Sequence, residues 1–566
     1  MAGILTNIRP GRLSVPSQDR TPEAVLILGT AVDGPIDADV RVDSYDSFRR
    51  MFGPADYKDG YKDPNTSAVN PREPNGATLP RAVYTALQEG LTNIYVRRIT
   101  GSYATHSSAF GSKLDIRSIY PGRIYNEVTV SVTPGSGSAS GSYYFDITQP
   151  AVKGGLLRFT LPIATKISTL IDRVNSNPNN RTIIIDGNAY ASSLTSAITA
   201  LSSGSITLAG GTNGTDAPGE DYSSNKYGIF NTLTAADTGV FQQVLDSRRP
   251  YDMVILTGLY VDDECASGDA TKSIFNEGAV WARELSRFCS PTRLILGTRP
   301  CNIRDYSTLV NYYNNSLLAT STGYYNQTLR WTKAGAFLYS GVIYTNGNVT
   351  DNLARRVVVV AGPDVIYEHP DIGQYMDTPH VTYGAMSAIT DPVRSTTFKS
   401  PQTIKRWNFA IPGNIANKLA AGVGWDGTNA IDAKGAYVCF IQSTRRDGSL
   451  IVAEDVTAAF RNDIYLNEQI LHVVNRIVAD VSESLRSFIS EPGNPRVLAA
   501  MSAAVKNVLK GYDDMGAFKE SGEGLGYTYN VSYKNRGEQI GVVSVDMSLN
   551  IARAIRVIEI TAEVTE

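Results

Sequence analysis

Four short runs in this chain are apolar at nearly every position: Ala24-Val-Leu-Ile-Leu28, Met253-Val-Ile-Leu256, Leu294-Ile-Leu296 and Val357-Val-Val-Val360. A strand with no polar alternation has no wet face, so both sides of its sheet must be covered. Amphipathic segments lie between the runs and supply that cover: Asp43–Phe52, Leu79–Gly90 and Ser273–Phe288, with a further strand at Asn93-Ile-Tyr-Val-Arg97. Strand and helix patterns in alternation predict βαβ units around a parallel sheet, which excludes an all-helical or sandwich architecture for these parts. At 566 residues the chain is too long for one small module.

Between the two α/β portions the composition turns to Ser, Gly, Thr and Asn, and Gly135-Ser-Gly-Ser-Ala-Ser-Gly-Ser142 reads as a hairpin tip or flexible loop. Gly101 to Asp216 is predicted as a β-rich insertion. Leu208-Ala-Gly-Gly-Thr-Asn-Gly214 is its exit, read as a glycine-dense hinge. Ahead of the first strand, Gly3 to Thr21 carries Pro10, Gly11 and Pro16 among scattered apolar residues and has no helical period. It reads as an extended arm.

The last third is more regular. Ile470, Val474, Ile477, Val481, Leu485 and Phe488 recur at spacings of three and four, the apolar stripe of a long helix. Glu491-Pro-Gly-Asn494 then leads into a second helix with Asn494 as N-cap, Pro495 at the first position and Gly511 near its end. The two are expected to form an antiparallel hairpin. Val543, Val545, Met547, Leu549 and Ile551 alternate with Ser544, Asp546, Ser548 and Asn550, which predicts a half-buried strand. Ala554–Thr561 is a β-prone segment with no turn before it to fix a local partner.

Enzyme and nucleic-acid readings find little support. Lys+Arg number 52 and Asp+Glu 55, leaving a net charge of -3 and no bulk drive towards polyanions. Arg355-Arg356 and Arg445-Arg446 are isolated pairs, expected to be solvated or ion-paired. Cys265, Cys289, Cys301 and Cys439 show no C-x-x-C spacing, and His106, His369, His380 and His472 show no metal-site spacing; each histidine reads as a surface or packing residue. Ser267-Gly-Asp-Ala-Thr-Lys-Ser273 has Thr271 where a phosphate loop needs glycine, and Gly29-Thr-Ala-Val-Asp-Gly34 lacks the middle glycine of a dinucleotide loop. No apolar run spans a bilayer, and no leader pattern opens the chain. The 31 tyrosines, against 16 phenylalanines and 4 tryptophans, suit surfaces that are buried on assembly yet keep a polar tip.

Val25-Leu-Ile-Leu-Gly-Thr-Ala-Val-Asp-Gly-Pro35, Val40–Phe48, Met51-Phe-Gly53, the Leu208–Gly214 string, Gly384-Ala385, Asp391 and Ser400-Pro401 occur in a particular order. They continue with Tyr465-Leu-Asn-Glu-Gln469, Glu491-Pro-Gly-Asn494 and Gly516-Ala517. The whole series resembles the motif pattern of contractile tail sheath proteins of bacteriophages. The insertion carries no matching motif, and Gly493 splits what is an "EPN" string in the family.

The resemblance implies a structural subunit with no catalytic role, no cofactor and no metal. It implies an α+β multidomain fold: an arm over 1–21, a discontinuous α/β domain over 22–100 and 217–400, a β-rich outer insertion over 101–216, a C-terminal assembly domain over 401–550 and an arm over 551–566. The sheet of the assembly domain would be completed by arms of neighbouring subunits, through Ile4, Leu5 and Ile8 at one end and Ile555, Val557, Ile558 and Ile560 at the other. Partners implied are further copies in a helical polymer, a tail tube protein, and baseplate and tail terminator proteins, with no nucleic acid and no direct membrane contact. Asp480, Glu483 and Arg486 are the tube-facing candidates. The place implied is a phage tail in the virion, assembled in the host cytoplasm. A related contractile injection particle and a β-rich adhesin are the alternatives.

Overall fold

The computed structural model describes residues 22–55, 76–136, 140–186, 194–213, 233–235, 238–260, 274–297, 353–361, 365–397, 399–404, 439–443, 450–452, 455–458, 464–489, 491–519, 526–534 and 542–552, with short strands at 61–62, 69–70, 336–339, 342–345 and 406–407. The predicted arm segments Gly3–Thr21 and Ala554–Thr561, the Ser267–Ser273 string, Arg445-Arg446, Cys265 and Cys301 lie outside the described residues.

The four apolar runs become neighbouring strands of one eight-stranded sheet, ordered Val40–Val42, Ile94–Arg98, Val25–Gly29, Met253–Tyr260, Arg293–Gly297, Val357–Ala361, Cys439–Ser443, Leu450–Val452. Neighbours from Ile94–Arg98 to Cys439–Ser443 pair in parallel, and an antiparallel strand closes each edge. One face packs Val25, Ile27, Ile255 and Ile295 against the helices Tyr45–Phe52, Thr78–Gln88 and His380–Ile389. Gly384 permits the close approach there: a Cβ on it would meet Ile255 Cδ1 at 2.7 Å. On the other face the helix Ile274–Phe288 lies on Leu294, close enough that a Cβ on Gly278 would meet Leu294 Cδ2 at 2.7 Å. Uninterrupted apolar strands are thus explained by helices on both sides.

This sheet crosses the boundary that the sequence suggests at residue 400, since Cys439–Ser443 and Leu450–Val452 continue it. Leu450–Val452 is a three-residue edge strand and Cys439–Ser443 lies between it and Val357–Ala361; Cys439-Phe-Ile-Gln-Ser443 is neither uniformly apolar nor regularly alternating, so no period identifies either. A small three-stranded sheet of Gly373–Asp377, Val365–His369 and Arg406–Trp407 is likewise absent from the sequence reading.

Residues 102–212 build their own core. A four-stranded sheet, Leu156–Pro162, Ser142–Thr148, Thr129–Pro134 and Gly204–Thr207, and a three-stranded one, Ile183–Asp186, Leu114–Pro121 and Tyr103–Ser108, share it with the helix Ile167–Asn175. Val130, Phe145, Ile147, Ile116, Ile183 and Leu170 are all buried in it. The return segment is not a loose hinge. Ser102 and Thr212 exchange backbone hydrogen bonds of 3.1 Å, Thr105 pairs with Ala209, and the Asn126 side chain brackets Gly211 with bonds of 2.8 and 2.9 Å. Gly211 is needed for this pairing, because a Cβ would lie 2.4 Å from the Gly122 carbonyl oxygen.

Asp33 adds a lock at the same junction. It accepts the Tyr125 hydroxyl at 2.6 Å and meets the Lys153 ammonium, while Arg98 donates to the carbonyls of Gly34 and Pro121.

Candidate functional site

The C-terminal region is built on two helices. Glu468–Leu485 begins at Asn467, whose side chain accepts from the Gln469 amide, and Pro495–Asp514 begins at Asn494, which accepts from the Arg496 and Val497 amides at 3.0 Å. Each cap satisfies donors that the first turn leaves unpaired. The second helix continues past Gly511 to Asp514, and the chain turns at Gly516 with φ of 79°. Helical geometry tolerates Gly511 at modest cost, so glycine alone does not end the helix. Ile470, Val473, Ile477 and Val481 face Val505, Leu509 and Tyr512 in the shared core.

Against this hairpin lies an antiparallel ribbon of Tyr527–Lys534 and Val542–Leu549. Tyr527, Tyr529 and Val531 from one strand and Val545, Met547 and Leu549 from the other pack onto the helices. Gly493 fits where it does because of the ribbon: a Cβ on it would meet the Tyr533 ring at 2.7 Å. Asn550 donates its amide to Gly526 and accepts from Lys519, both on the Tyr527–Lys534 side. Direction alternates along a strand, so Val543, Val545, Met547 and Leu549 turn their N–H and C=O groups to the opposite edge. Among the described residues neither outer edge of the ribbon has a partner strand. An unpaired edge of this length with a half-buried apolar face is a template for strand addition.

A buried ion cluster joins the hairpin to the sheet. Arg293, at the start of its strand, donates to Glu23 Oε2 at 2.6 Å and to Ser387 Oγ at 2.7 Å, and also contacts Glu468 Oε1. Ser387 in turn donates to Glu468 at 3.1 Å. His472 Nε2 meets the other oxygen of Glu23. Asp252 accepts the Ala24 amide at 2.8 Å and lies 3.8 Å from Arg476, which pairs with Asp480 at 3.2 Å. Tyr512 closes the chain by donating to Asp480 at 2.6 Å.

Arg293 and Glu468 are each 1% exposed, so neither charge survives there unpaired. Burial would raise Glu23, but Arg293, His472 and Arg476 outweigh it and hold the carboxyl at about 2. Burial would lower Arg293, yet Glu23 and Glu468 drive it above its ordinary value. Asp252 is raised, by burial first and by Glu23 second.

The structure separates the three charged positions predicted from the hairpin sequence. Glu483 and Arg486 form an exposed pair at 3.1 Å, with side chains 69% and 68% exposed. Asp480 instead turns towards Arg476 and Tyr512, inside the cluster. The apolar arm residues Ile4, Leu5, Ile8, Ile555, Val557, Ile558 and Ile560 lie outside the described residues.

Sequence reasoning missed Glu23, Arg293 and His472. The available signal was a charged or polar residue inside an apolar pattern: Arg293 directly before Leu-Ile-Leu, and Glu468, Gln469 and His472 buried among Ile470, Leu471 and Val473. Of the other histidines, His369 and His380 are buried packing residues. Among the described residues no group of His, Cys, Asp and Glu is arranged to hold a metal ion, and no helix is long and apolar enough to cross a membrane.

No protein-family model matches the sequence, and no curated protein matches it either. Among solved structures the chain is similar to a sheath tail protein from Listeria innocua, with a TM-score of 0.53 and 12% identity over 94% of this chain and 92% of that one. A sheath tail protein from Desulfitobacterium hafniense gives 0.47 and 11% over 97% and 100%, and the contracted helical sheath of the anti-feeding prophage gives 0.42 and 10% over 99% and 98%. The first of these carries the fold assignment: a mixed α/β multidomain chain with the fold of a sheath tail protein.

Proposed function

We propose that this chain is the structural subunit of a contractile phage tail sheath, polymerising helically around a tail tube and contracting to drive that tube through a host envelope. The observation that carries this reading is the ribbon whose two outer edges have no partner strand among the described residues, mounted on a helix hairpin in a chain with a sheath-type fold. Terminal segments of neighbouring copies would add strands to those edges, Ile4, Leu5 and Ile8 from one end and Ile555, Val557, Ile558 and Ile560 from the other. Each added backbone hydrogen bond contributes about 0.5–1.5 kcal/mol net, so a handful per arm holds copies together while the rigid bodies rotate. Contacts that run head to tail without closing give a helical filament.

The hairpin and ribbon stand nearest the tube in this arrangement, the eight-stranded sheet outside them, and residues 102–212 outermost. Glu483 and Arg486 are the tube-facing pair, exposed enough to exchange partners on an oppositely charged surface. Many weak, screened pairs suit a sheath that grips before firing and slides afterwards. The role is mechanical and assigns no catalytic step and no cofactor. Beyond itself and the tube, the partners are baseplate and terminator proteins of a particle assembled in the bacterial cytoplasm.

Removing Met1–Pro16 tests the reading, as does cutting the chain after Ala552. Cutting earlier would remove Ile551, which is buried in the hairpin core. Either truncation is expected to leave a folded chain that forms no tubes in electron micrographs, and normal sheaths from either truncation would overturn the arm mechanism.

A further inference from the structure

The two ends of the described chain meet the same turn of the same helix. Glu468, Gln469, His472 and Arg476 fall within one stripe of about 100° on Glu468–Leu485, at 3.6 residues per turn. Each holds a different part of the molecule. Glu468 binds Arg293 of the central sheet and Ser387 of the helix His380–Ile389 that covers it. Gln469 donates through Nε2 to the Val393 carbonyl at 2.9 Å and to the Ala552 carbonyl at 3.4 Å, the last described residue before the C-terminal segment. His472 meets Glu23, immediately after the N-terminal segment, and Arg476 faces Asp252, which itself accepts the Ala24 amide. Three of the four, Glu468, Gln469 and His472, are at most 2% exposed.

We propose that the first turns of this helix are a common mooring for both ends of the chain, so that displacing one root loosens the other. Residues 22–24 and 550–552 are far apart in sequence and do not bond to each other; the helix turn is the body they share. Polar groups buried this deeply lose hydrogen bonds together rather than singly, because a displaced partner leaves charges uncompensated. The mooring is a property of the single chain, while its use in coordinating two arms within a polymer rests on the sheath reading above.

Amide hydrogen exchange on the full chain, at a concentration where light scattering shows a monomer, tests the coupling. The reporters are the Ala24 and Val25 amides at one root, bonded to Asp252 and Asn93, and the Lys519 and Ala552 amides at the other, bonded to Asn550 and Ala517. Gln469→Ala is expected to accelerate exchange roughly three- to tenfold at both roots, although Gln469 touches only the second. Glu23→Gln is expected to do the same from the other side. Should that variant fail to fold, Gln469→Ala decides alone. Asn550→Ala, which removes an exposed side-chain bond to Lys519 without touching the helix turn, is the control and is expected to act only on its own root. Acceleration by Gln469→Ala confined to Lys519 and Ala552, or equal acceleration of both roots by Asn550→Ala, overturns the mooring. Tubes in micrographs with no coupled exchange would refute the mooring and spare the sheath reading, and coupled exchange with no tubes would do the reverse.

Discussion

Glu23 shows what a single buried charge contributes. Its carboxyl is depressed to about 2 from an ordinary value of 4.5, so its stabilisation is fully present above pH 4.5 and is lost as pH falls towards 2. Asp252 is raised, by burial first and by the Glu23 charge second, and works in the opposite sense. His369 and His380 are lowered by burial, His369 to about 4. Their neutral forms are native, so stability is full above pH 6.5 and declines below it. Denaturant midpoints are therefore expected to fall in two overlapping stages, from pH 6.5 to 4 and from 4.5 to 2. A profile flat from pH 7 to 3 would contradict these assignments.

Tyr512 offers a test at the hairpin. Tyr512→Phe removes the bond to Asp480 and is expected to cost about 1–2 kcal/mol in urea unfolding, with little effect on the surface. No change in stability would mean that Asp480 is satisfied by Arg476 alone. The pairing of Glu23 with Arg293 and His472 does not declare itself in the sequence. Glu23 is 270 positions from Arg293 and 449 from His472, and pairing across such distances leaves no periodic trace. Gly493 is the contrasting case: it is visible as an inserted residue in the Glu491–Asn494 string, and its reason is the Tyr533 ring.

Helices and long strands were far more legible. The apolar run before Gly29, the stripe from Ile470 to Val481 and the Asn494-Pro495 start all correspond to observed elements, because local burial and capping write themselves into spacing. Val40–Val42 and Leu450–Val452 are three residues each, too short to show alternation. The open ribbon edge allows a sharper test than truncation. Val545 directs its amide outward, so Val545→Pro removes a docking donor without breaking the ladder to Tyr527–Lys534. The variant is expected to keep its far-ultraviolet spectrum, to lose no more than about 1–2 kcal/mol of stability and to form no tubes. Asp546→Pro, which breaks an inward bond, is expected to unfold the ribbon itself. Equal behaviour of the two prolines would remove the edge from the mechanism.

In the whole molecule, residues 102–212 are tied to the sheet by paired backbone and by the Asp33 and Arg98 contacts rather than by a flexible joint. Ser102 and Thr212 lie opposite each other, so deleting Tyr103–Gly211 with a short linker leaves the ends in register. Arg98 and Asp33 would lose partners, and the deletion is expected to lower stability by a few kcal/mol while tubes still form, thinner than those of the full chain. A folded product that forms no tubes would place this unit in the polymer contacts.

The central claim is that the chain alone polymerises into a sheath. Electron microscopy of the purified full-length protein tests it most directly. Long hollow helical tubes are expected, in the contracted state because no inner tube holds the extended one. Discrete single-copy particles over the whole concentration range would contradict it.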